Sequence, residues 1–417
     1  MGCKAFIPYS FTVLTCTSGR FQWVRCQLEY LVPCLPAYIK DALKELPATL
    51  DGTYRRVLRG IEDANREFVK RLLPCVAVAP RPLRIEELAE IIAFDFKSGS
   101  IPKFNENWRH KNPVQAVLST CSTLLSVVKV NGYQIVKFSH NSVKEFLTST
   151  RFGKRRHGDA LSGRFHISIT PAHDLLARAC LGILLHLDGS ITEDSLKNFP
   201  LAEYAARYWF EHARLGGMLQ NAARVQGIKQ LFDPSKPHLA IWLWIWDPTD
   251  HSHDRTQRAK RPLPPTRTPL HYAAFCGLQT VVKAMTEEHP QDVNARCPND
   301  DSTPLHLASQ EGHLEVARVL VQDGANVSDQ DRWGWTPLHW ASKCGHVDLT
   351  RFLVEKGADV TAIDKERTNP LYLASKKGHK RDEQLLIKQG ADRGDQAVSV
   401  EDMIQSQDNS CQATLPL

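Results

Sequence analysis

Apolar residues recur at helical spacing through most of the chain. Leu46-Pro47 opens one such stretch, continued by Tyr54, Val57, Leu58 and Ile61, and a second runs from Glu67 to Val78 with Phe68, Leu72, Leu73, Val76 and Ala77 on one side. Arg81-Pro82-Leu83 interrupts the pattern. Ile85 to Ala93 resumes it, with Glu86 and Glu87 in a first turn where the helix dipole favours acids. A polar loop follows, then a helix near Val114 to Cys121. There the period changes. Leu124 to Val130 and Tyr133 to Phe138 are β-rich, and Asn131-Gly132 between them is a dipeptide suited to a tight hairpin. Helices closed by a two-stranded wing predict a winged-helix-like domain over residues 44–152. His140 should anchor the end of the second strand to the next helix, with Asn141 or Ser142 as the N-cap.

The C-terminal pattern repeats. Thr268-Pro269-Leu270-His271 returns as Thr303-Pro304-Leu305-His306, Thr336-Pro337-Leu338-His339 and Asn369-Pro370-Leu371-Tyr372, at intervals of 35, 33 and 33 residues. Gly277, Gly312, Gly345 and Gly378 keep the same step, with His following in the last three, as do Gly324-Ala325-Asn326, Gly357-Ala358-Asp359 and Gly390-Ala391-Asp392. Thr can cap a helix, Pro at its first position loses no hydrogen bond, and Gly suits the left-handed residue that ends it. A second helix follows, with apolar spacing such as Leu314, Val316, Ala317, Val319, Leu320 and Val321. Three markers in one register resemble the ankyrin repeat, in about four copies (268–302, 303–335, 336–368 and 369–393). The periodic histidines point to packing and hydrogen bonding rather than to four active sites.

Ankyrin proteins bind partners through the loops between repeats and the exposed end of each first helix. The resemblance places Asn299, Asp300 and Ser302, then Arg332, Trp333 and Trp335, then Lys365, Glu366 and Thr368 in loops. It places Gln310, Glu311, Lys343, Cys344, Lys376 and Lys377 on the helices. Trp333 and Trp335 are either an interaction hot spot or, for one of the two, packing on the neighbouring loop. The fourth copy departs from the pattern, with Asn369 for Thr, Tyr372 for His and Arg367 for the loop Gly, and is expected to act as a cap.

Composition adds a division of charge. The 417 residues carry a net +6, but residues 1–262 hold 36 Lys/Arg against 24 Asp/Glu and residues 263–417 hold 16 against 22. A basic partner for the repeats, or contact between the halves, follows more naturally than a nucleic-acid partner. Eleven scattered cysteines without a C-x-x-C pair suggest reduced thiols and no zinc site. Phe6 breaks a myristoylation pattern, and Leu239 to Trp246 is too short for a bilayer, so no membrane association is expected. His251-Ser252-His253 with Asp250 and Asp254 reads as solvated linker, not metal site, and so do the basic runs Lys154 to His157 and Arg255 to Arg261. Such runs are compatible with nuclear import of an otherwise cytoplasmic protein.

A wider resemblance covers most of residues 19–393. Leu46-Pro47-Ala48-Thr49-Leu50-Asp51-Gly52-Thr53-Tyr54, Arg81-Pro82-Leu83 and Phe138-Ser139-His140-Asn141-Ser142-Val143-Lys144-Glu145-Phe146-Leu147 are similar to the segment after the nucleotide-binding module of fungal NACHT-ankyrin proteins of the STAND class. That segment is a winged helix also labelled after GPI inositol-deacylase. Gly19 to Leu28 resembles the module's tail, and Asp174 to Leu181 with Tyr204 to Trp209 resembles the helical spacer. The organisation implied is a module remnant at 1–43, winged helix at 44–152, spacer at 153–250, basic Pro-rich linker at 251–265, repeats at 266–394 and a flexible tail at 395–417. The sequence contains neither G-x-x-x-x-G-K-[ST] nor G-x-S-x-G, so nucleotide hydrolysis and deacylation are not expected, nor any cofactor, metal or small-molecule substrate. The expected class is a mainly α, non-enzymatic protein that binds another protein. The alternatives are a fragment of a STAND NTPase and nucleic-acid binding by the basic half.

Overall fold

A computed structural model describes residues 47, 49–153, 160–249 and 261–391. The readings made at 1–43, 154–157, 250–254 and 395–417, and all of the 255–261 run except Arg261, lie outside them. Packing divides the chain into one unit ending at Ala89 and resuming over His110–Ile169, and a second of Glu90–Arg109 with Thr170 onward.

In the first unit, α1 (Leu50–Arg59) is capped by Thr49, whose hydroxyl accepts the Gly52 N–H. It precedes α2 (Asp63–Val78), α3 (Ile85–Glu90) and α4 (Pro113–Cys121). The wing is β1 (Leu125–Val130) paired antiparallel with β2 (Tyr133–Phe138). Its turn residues Asn131 and Gly132 both have positive φ (48° and 85°), which matches the right-handed twist of the strands. Val136 N–H donates to Leu83 O at 2.8 Å, so the Arg81-Pro82-Leu83 break lies along the wing. Tyr54, Leu58, Leu72, Leu73, Leu83, Leu88, Val117, Val136, Val143 and Leu147 form the core.

Two polar groups fix this core. Glu87, fully buried, meets both Arg81 terminal nitrogens (2.6 and 2.9 Å) and accepts the Arg84 N–H (2.7 Å). His140 is itself the N-cap of α5 (Asn141–Thr148), correcting the assignment to Asn141 or Ser142. Its Nδ1 accepts the Ser142 N–H at 3.1 Å, and the Ser142 hydroxyl reaches Tyr54 at 2.8 Å. An imidazole can cap as a carboxylate does because its unprotonated nitrogen has a lone pair in the right place.

In the second unit, residues 90–109 contain the short antiparallel pair Phe94–Asp95 and Lys103–Phe104, where the sequence reads only as a polar loop. Buried charges hold the segment: Arg178 donates to the Ser100, Gly99 and Phe96 carbonyls, and Glu90 accepts the Leu201 N–H at 2.8 Å while bonding Arg109. The spacer helices are α6 (Ile169–His186), α7 (Leu201–Leu215), α8 (Ala222–Phe232) and α9 (His238–Ile245). Helix α9 contains most of the Leu239 to Trp246 run and buries much of it. Trp242 donates its indole N–H to Ala206 O (2.8 Å) and meets Trp209 edge to face at 5.4 Å.

The repeats are four helix pairs. The first helices are α10 (Pro269–Phe275), α12 (Pro304–Gln310), α14 (Pro337–Cys344) and α16 (Pro370–Lys376). The second are α11 (Gln279–Glu288), α13 (Leu314–Gln322), α15 (Val347–Glu355) and α17 (Lys380–Lys388). First helices pack in one row and second helices in another, sharing a core no single pair could close. The spacer covers the first pair: Trp242 meets Tyr272 at 6.2 Å and Thr280 donates to Leu219 O at 3.0 Å. Among the described residues no helix is long and apolar enough to cross a membrane, and no cluster of His, Cys, Asp and Glu could hold a metal ion.

Removing the buried Glu87 carboxylate breaks its bonds to the Arg81 guanidinium and to the Arg84 N–H. Glu87→Ala should therefore destabilise the winged-helix unit by about 3 kcal/mol, read as a lower midpoint in denaturant unfolding of the full chain, whereas Glu86→Ala should change little.

Candidate protein-binding face of the repeats

The recurring Thr and His form one bonded unit. Thr303 N lies 3.1 Å and its hydroxyl 2.8 Å from His306 Nδ1, and Thr336 repeats both distances to His339. Because a backbone N–H donates to Nδ1, the ring proton sits on Nε2. That N–H donates forward to the residue just before the Thr of the next repeat, from His306 to Trp335 O (3.0 Å), and to the residue just before Asn369, from His339 to Thr368 O (3.3 Å). His271 has the same arrangement, with the Thr268 hydroxyl at 2.9 Å and Ser302 O at 3.0 Å. A second ladder runs backward: Nε2 of His313, His346 and His379 lies 2.8, 3.0 and 3.0 Å from the carbonyls of Phe275, Gln310 and Lys343. These rings lie against the glycines of the preceding repeat. A Cβ on Gly277, Gly312 or Gly345 would come within 2.8, 2.5 or 2.5 Å of them, so the glycine serves both left-handed φ and close approach. The pattern's exceptions fall at the ends of the stack. Tyr372 stands where the forward ladder stops, with Asn369 accepting its N–H at 2.8 Å, and Leu278 stands where the backward one would begin.

The loops are tight hairpins. Cys297, Asp331 and Asp364 each donate a backbone N–H at 2.9 Å to the carbonyls of Ser302, Trp335 and Thr368. One residue in each is left-handed, Asp301 (φ 55°), Gly334 (84°) and Arg367 (62°), so Arg367 keeps the glycine conformation without the glycine. Neighbouring loops join through Arg332 N–H to Asp300 O (2.8 Å) and Lys365 N–H to Trp333 O (3.1 Å), making a continuous ledge. The loop carboxylates are occupied internally. Asp300 accepts from the Ser302 N–H and hydroxyl and from Arg267 (2.5 Å). Burial works against its charge, but Ser302 and Arg267 outweigh burial and hold its pKa down at about 2. Asp331 accepts the Trp333 and Trp335 N–H groups and the Trp340 indole N–H, each at 2.9 Å. Asp364 accepts from the Glu366 and Thr368 N–H groups, the Thr368 hydroxyl and the Trp335 indole N–H (2.8 Å).

The residues singled out in the sequence separate by exposure. Asn299, Arg332, Trp333, Lys365 and Glu366 are exposed; Asp300, Glu311, Trp335, Cys344, Lys376 and Lys377 are half-buried; Ser302, Gln310, Lys343 and Thr368 are buried. The two tryptophans part company: Trp333 is 50% exposed, whereas Trp335 packs on the next loop through Asp364 and on Trp340, ring centroids 4.7 Å apart. Lys343 places its ammonium 4.8 and 5.1 Å from the Trp335 and Trp340 rings, a cation–π contact that accounts for its burial. Burial raises the Glu311 carboxyl to about 7 against the pull of Gln310 and Arg214. Sequence reading passed over Trp340 and the 56% exposed Ile363. Trp340 could have been noticed as the indole following the repeated tetrapeptide, where Tyr272, Leu307 and Leu373 stand in the other copies. Among described cysteines, Cys75, Cys121, Cys180, Cys276 and Cys297 are buried free thiols, and Cys344 is half-buried.

Residues 58–159 match the winged helix domain of GPI inositol-deacylase, and residues 267–298 and 305–354 match ankyrin repeats. The chain carries both. It is 29% identical over 300 residues to the azaphilone pigments biosynthesis cluster protein L of Monascus ruber, covering 68% of this chain and 61% of that protein. The chain thus spans less than two thirds of that relative's length. Ankyrin repeat domain-containing protein 13B of Homo sapiens is 38% identical over 73 residues, 18% of this chain and 12% of its own. The serine/threonine-protein kinase VIK of Arabidopsis thaliana is 47% identical over 52 residues, 12% of each.

Burial pushes His271, His306 and His313 down to about 4, and lowers His339 and His346. Below the ordinary histidine pKa of about 6.5, the unfolded chain takes up protons that the folded stack refuses. Stability should be fully present above about pH 6.5 and decline toward pH 4, by up to about 1.4 kcal/mol per pH unit for each fully buried ring. Thermal unfolding across that range should show the loss, and His306→Gln should make the pH dependence shallower. Arg367→Gly should raise stability by about 0.5–1 kcal/mol by relieving its left-handed backbone, read from the same melts.

Proposed function

We propose that this chain is a non-enzymatic interaction protein whose repeat stack holds a partner protein along the loop ledge and the first helices. The ladders support the reading: the recurring His and the loop Asp groups are committed to bonds inside the stack. The exposed ledge residues Arg332, Trp333 and Lys365 remain as contacts for a partner. The printed name of the Monascus ruber relative makes proteins of such a pigment biosynthesis cluster the first partners to try. Affinity capture with the full chain should retain a partner that Arg332→Ala, Trp333→Ala and Lys365→Ala together weaken at least about tenfold. Undiminished capture by the triple variant would remove this surface from consideration.

A second reading, in which the chain acts as part of a larger nucleotide-regulated signalling protein, is favoured by its coverage of only 61% of that relative. Reading the genomic sequence just upstream for an in-frame phosphate-binding loop tests it. Its absence over several hundred codons would close the option.

A further inference from the structure

The charge of the C-terminal part as a whole is misleading about its binding face. Five of its 22 acids, Asp392, Asp395, Glu401, Asp402 and Asp408, lie beyond the last helix pair, and residues 263–391 are nearly balanced, with 15 Lys/Arg against 17 Asp/Glu. Within the loops and first helices the distribution is one-sided. Residues 297–313 carry Asp300, Asp301 and Glu311 and no Lys or Arg. Residues 331–346 and 364–379 carry Arg332, Lys343, Lys365, Arg367, Lys376 and Lys377. Their acids are Asp331, Asp364 and Glu366, and the first two are buried among N–H donors, leaving Glu366 as the exposed acid of this face.

Apolar surface accompanies the positive charge. Trp333 is held by its backbone, its N–H on Asp331 and its carbonyl receiving Lys365, yet half of the residue is open to solvent, and no described residue accepts its indole N–H. Ile363, at the start of the next loop, is 56% exposed. A tight hairpin that fixes a large aromatic next to Arg332 and bonds its backbone to the loop of Lys365 and Arg367 provides a preorganised anchor with cationic residues on both loops.

Resting on the protein-binding reading above, we propose that the loops leading into the third and fourth repeats, with the first helices of those repeats, bind an acidic segment of a partner protein. That segment carries an aromatic or large aliphatic side chain that lies on Trp333 while its carboxylates face Arg332, Lys365 and Arg367. Charge complementarity chooses this occupant over the basic partner implied by net charge. The neighbouring Asp301 and Glu311 set the polarity of the face, and disfavour the uniform negative charge of a nucleic acid.

The test is selection of random linear peptides displayed on phage by the immobilised full chain, followed by anisotropy with the synthetic consensus. The expected consensus combines Asp/Glu with an aromatic or Leu, and its affinity falls with salt. Lys365→Glu with Arg367→Glu should weaken it about tenfold or more, Trp333→Ala several-fold, and Asp301→Lys, in the acidic repeats, should not weaken it. These positions are exposed, so the melts should stay near wild type. A consensus peptide with its acids changed to Lys should regain affinity for the double charge reversal. A basic or neutral consensus, an acidic one insensitive to the reversal, or equally tight binding of a thymidine oligonucleotide overturns the proposal and leaves the protein-binding reading intact. Failure to select any peptide together with failure to capture any protein overturns both.

Discussion

The repeat stack depends on a neutral imidazole with its proton on one particular nitrogen. At His271, His306 and His339, the Thr of the same repeat engages Nδ1 and Nε2 donates to the carbonyl just before the Thr, or for His339 the Asn, of the next repeat, so the ring beside one helix start is tied to the start of the next. The second set, His313, His346 and His379, bonds the repeat behind. Each interior junction is thereby tied in both directions by buried or half-buried donors whose loss would leave a carbonyl without its partner, a cost on the order of 1–3 kcal/mol where the site is fully buried. Short helix pairs gain little from their own length, so junction bonds and shared apolar area determine whether they fold.

A stack built on neighbours needs both ends closed. At one end the spacer provides Trp242, buried between Trp209 and Tyr272, and Leu278 replaces the histidine that would have had no repeat behind it. At the other, Asn369 caps its helix by accepting the Tyr372 N–H, and Tyr372 stands in the place of the forward-donating histidine. The loops follow from the same geometry. Each buried Asp gathers the amides of its hairpin, and Trp335 and Trp340 donate to successive Asp residues, so the ledge is rigid and Trp333 is left facing outward.

Much of the fold was legible because its signals are local and repeated. The 33-residue register, the Asn131-Gly132 turn and the Pro-started helices each report backbone conformation within a few residues. The misses share a different cause. His140 as a cap, the strand pair within 90–109 and the burial of Lys343 each require a partner far along the chain or an unusual use of a side chain. The candidate face was read at the level of position, since loop and helix-end residues follow from the repeat. Which of them are open did not follow: Ser302, Gln310 and Thr368 share the register of a contact surface and are buried.

By itself the sequence determined the helix pairs, their number, the hairpin wing and the equivalence of the recurring histidines, because period and turn chemistry act over short distances. Only the tertiary structure decided which tryptophan is structural and which is free, and which carboxylates are neutralised by donors. It also decided which charges of the last two repeats are exposed. Those outcomes depend on which groups meet across loops about 30 residues apart, and a total of charges contains no record of which have already been paired.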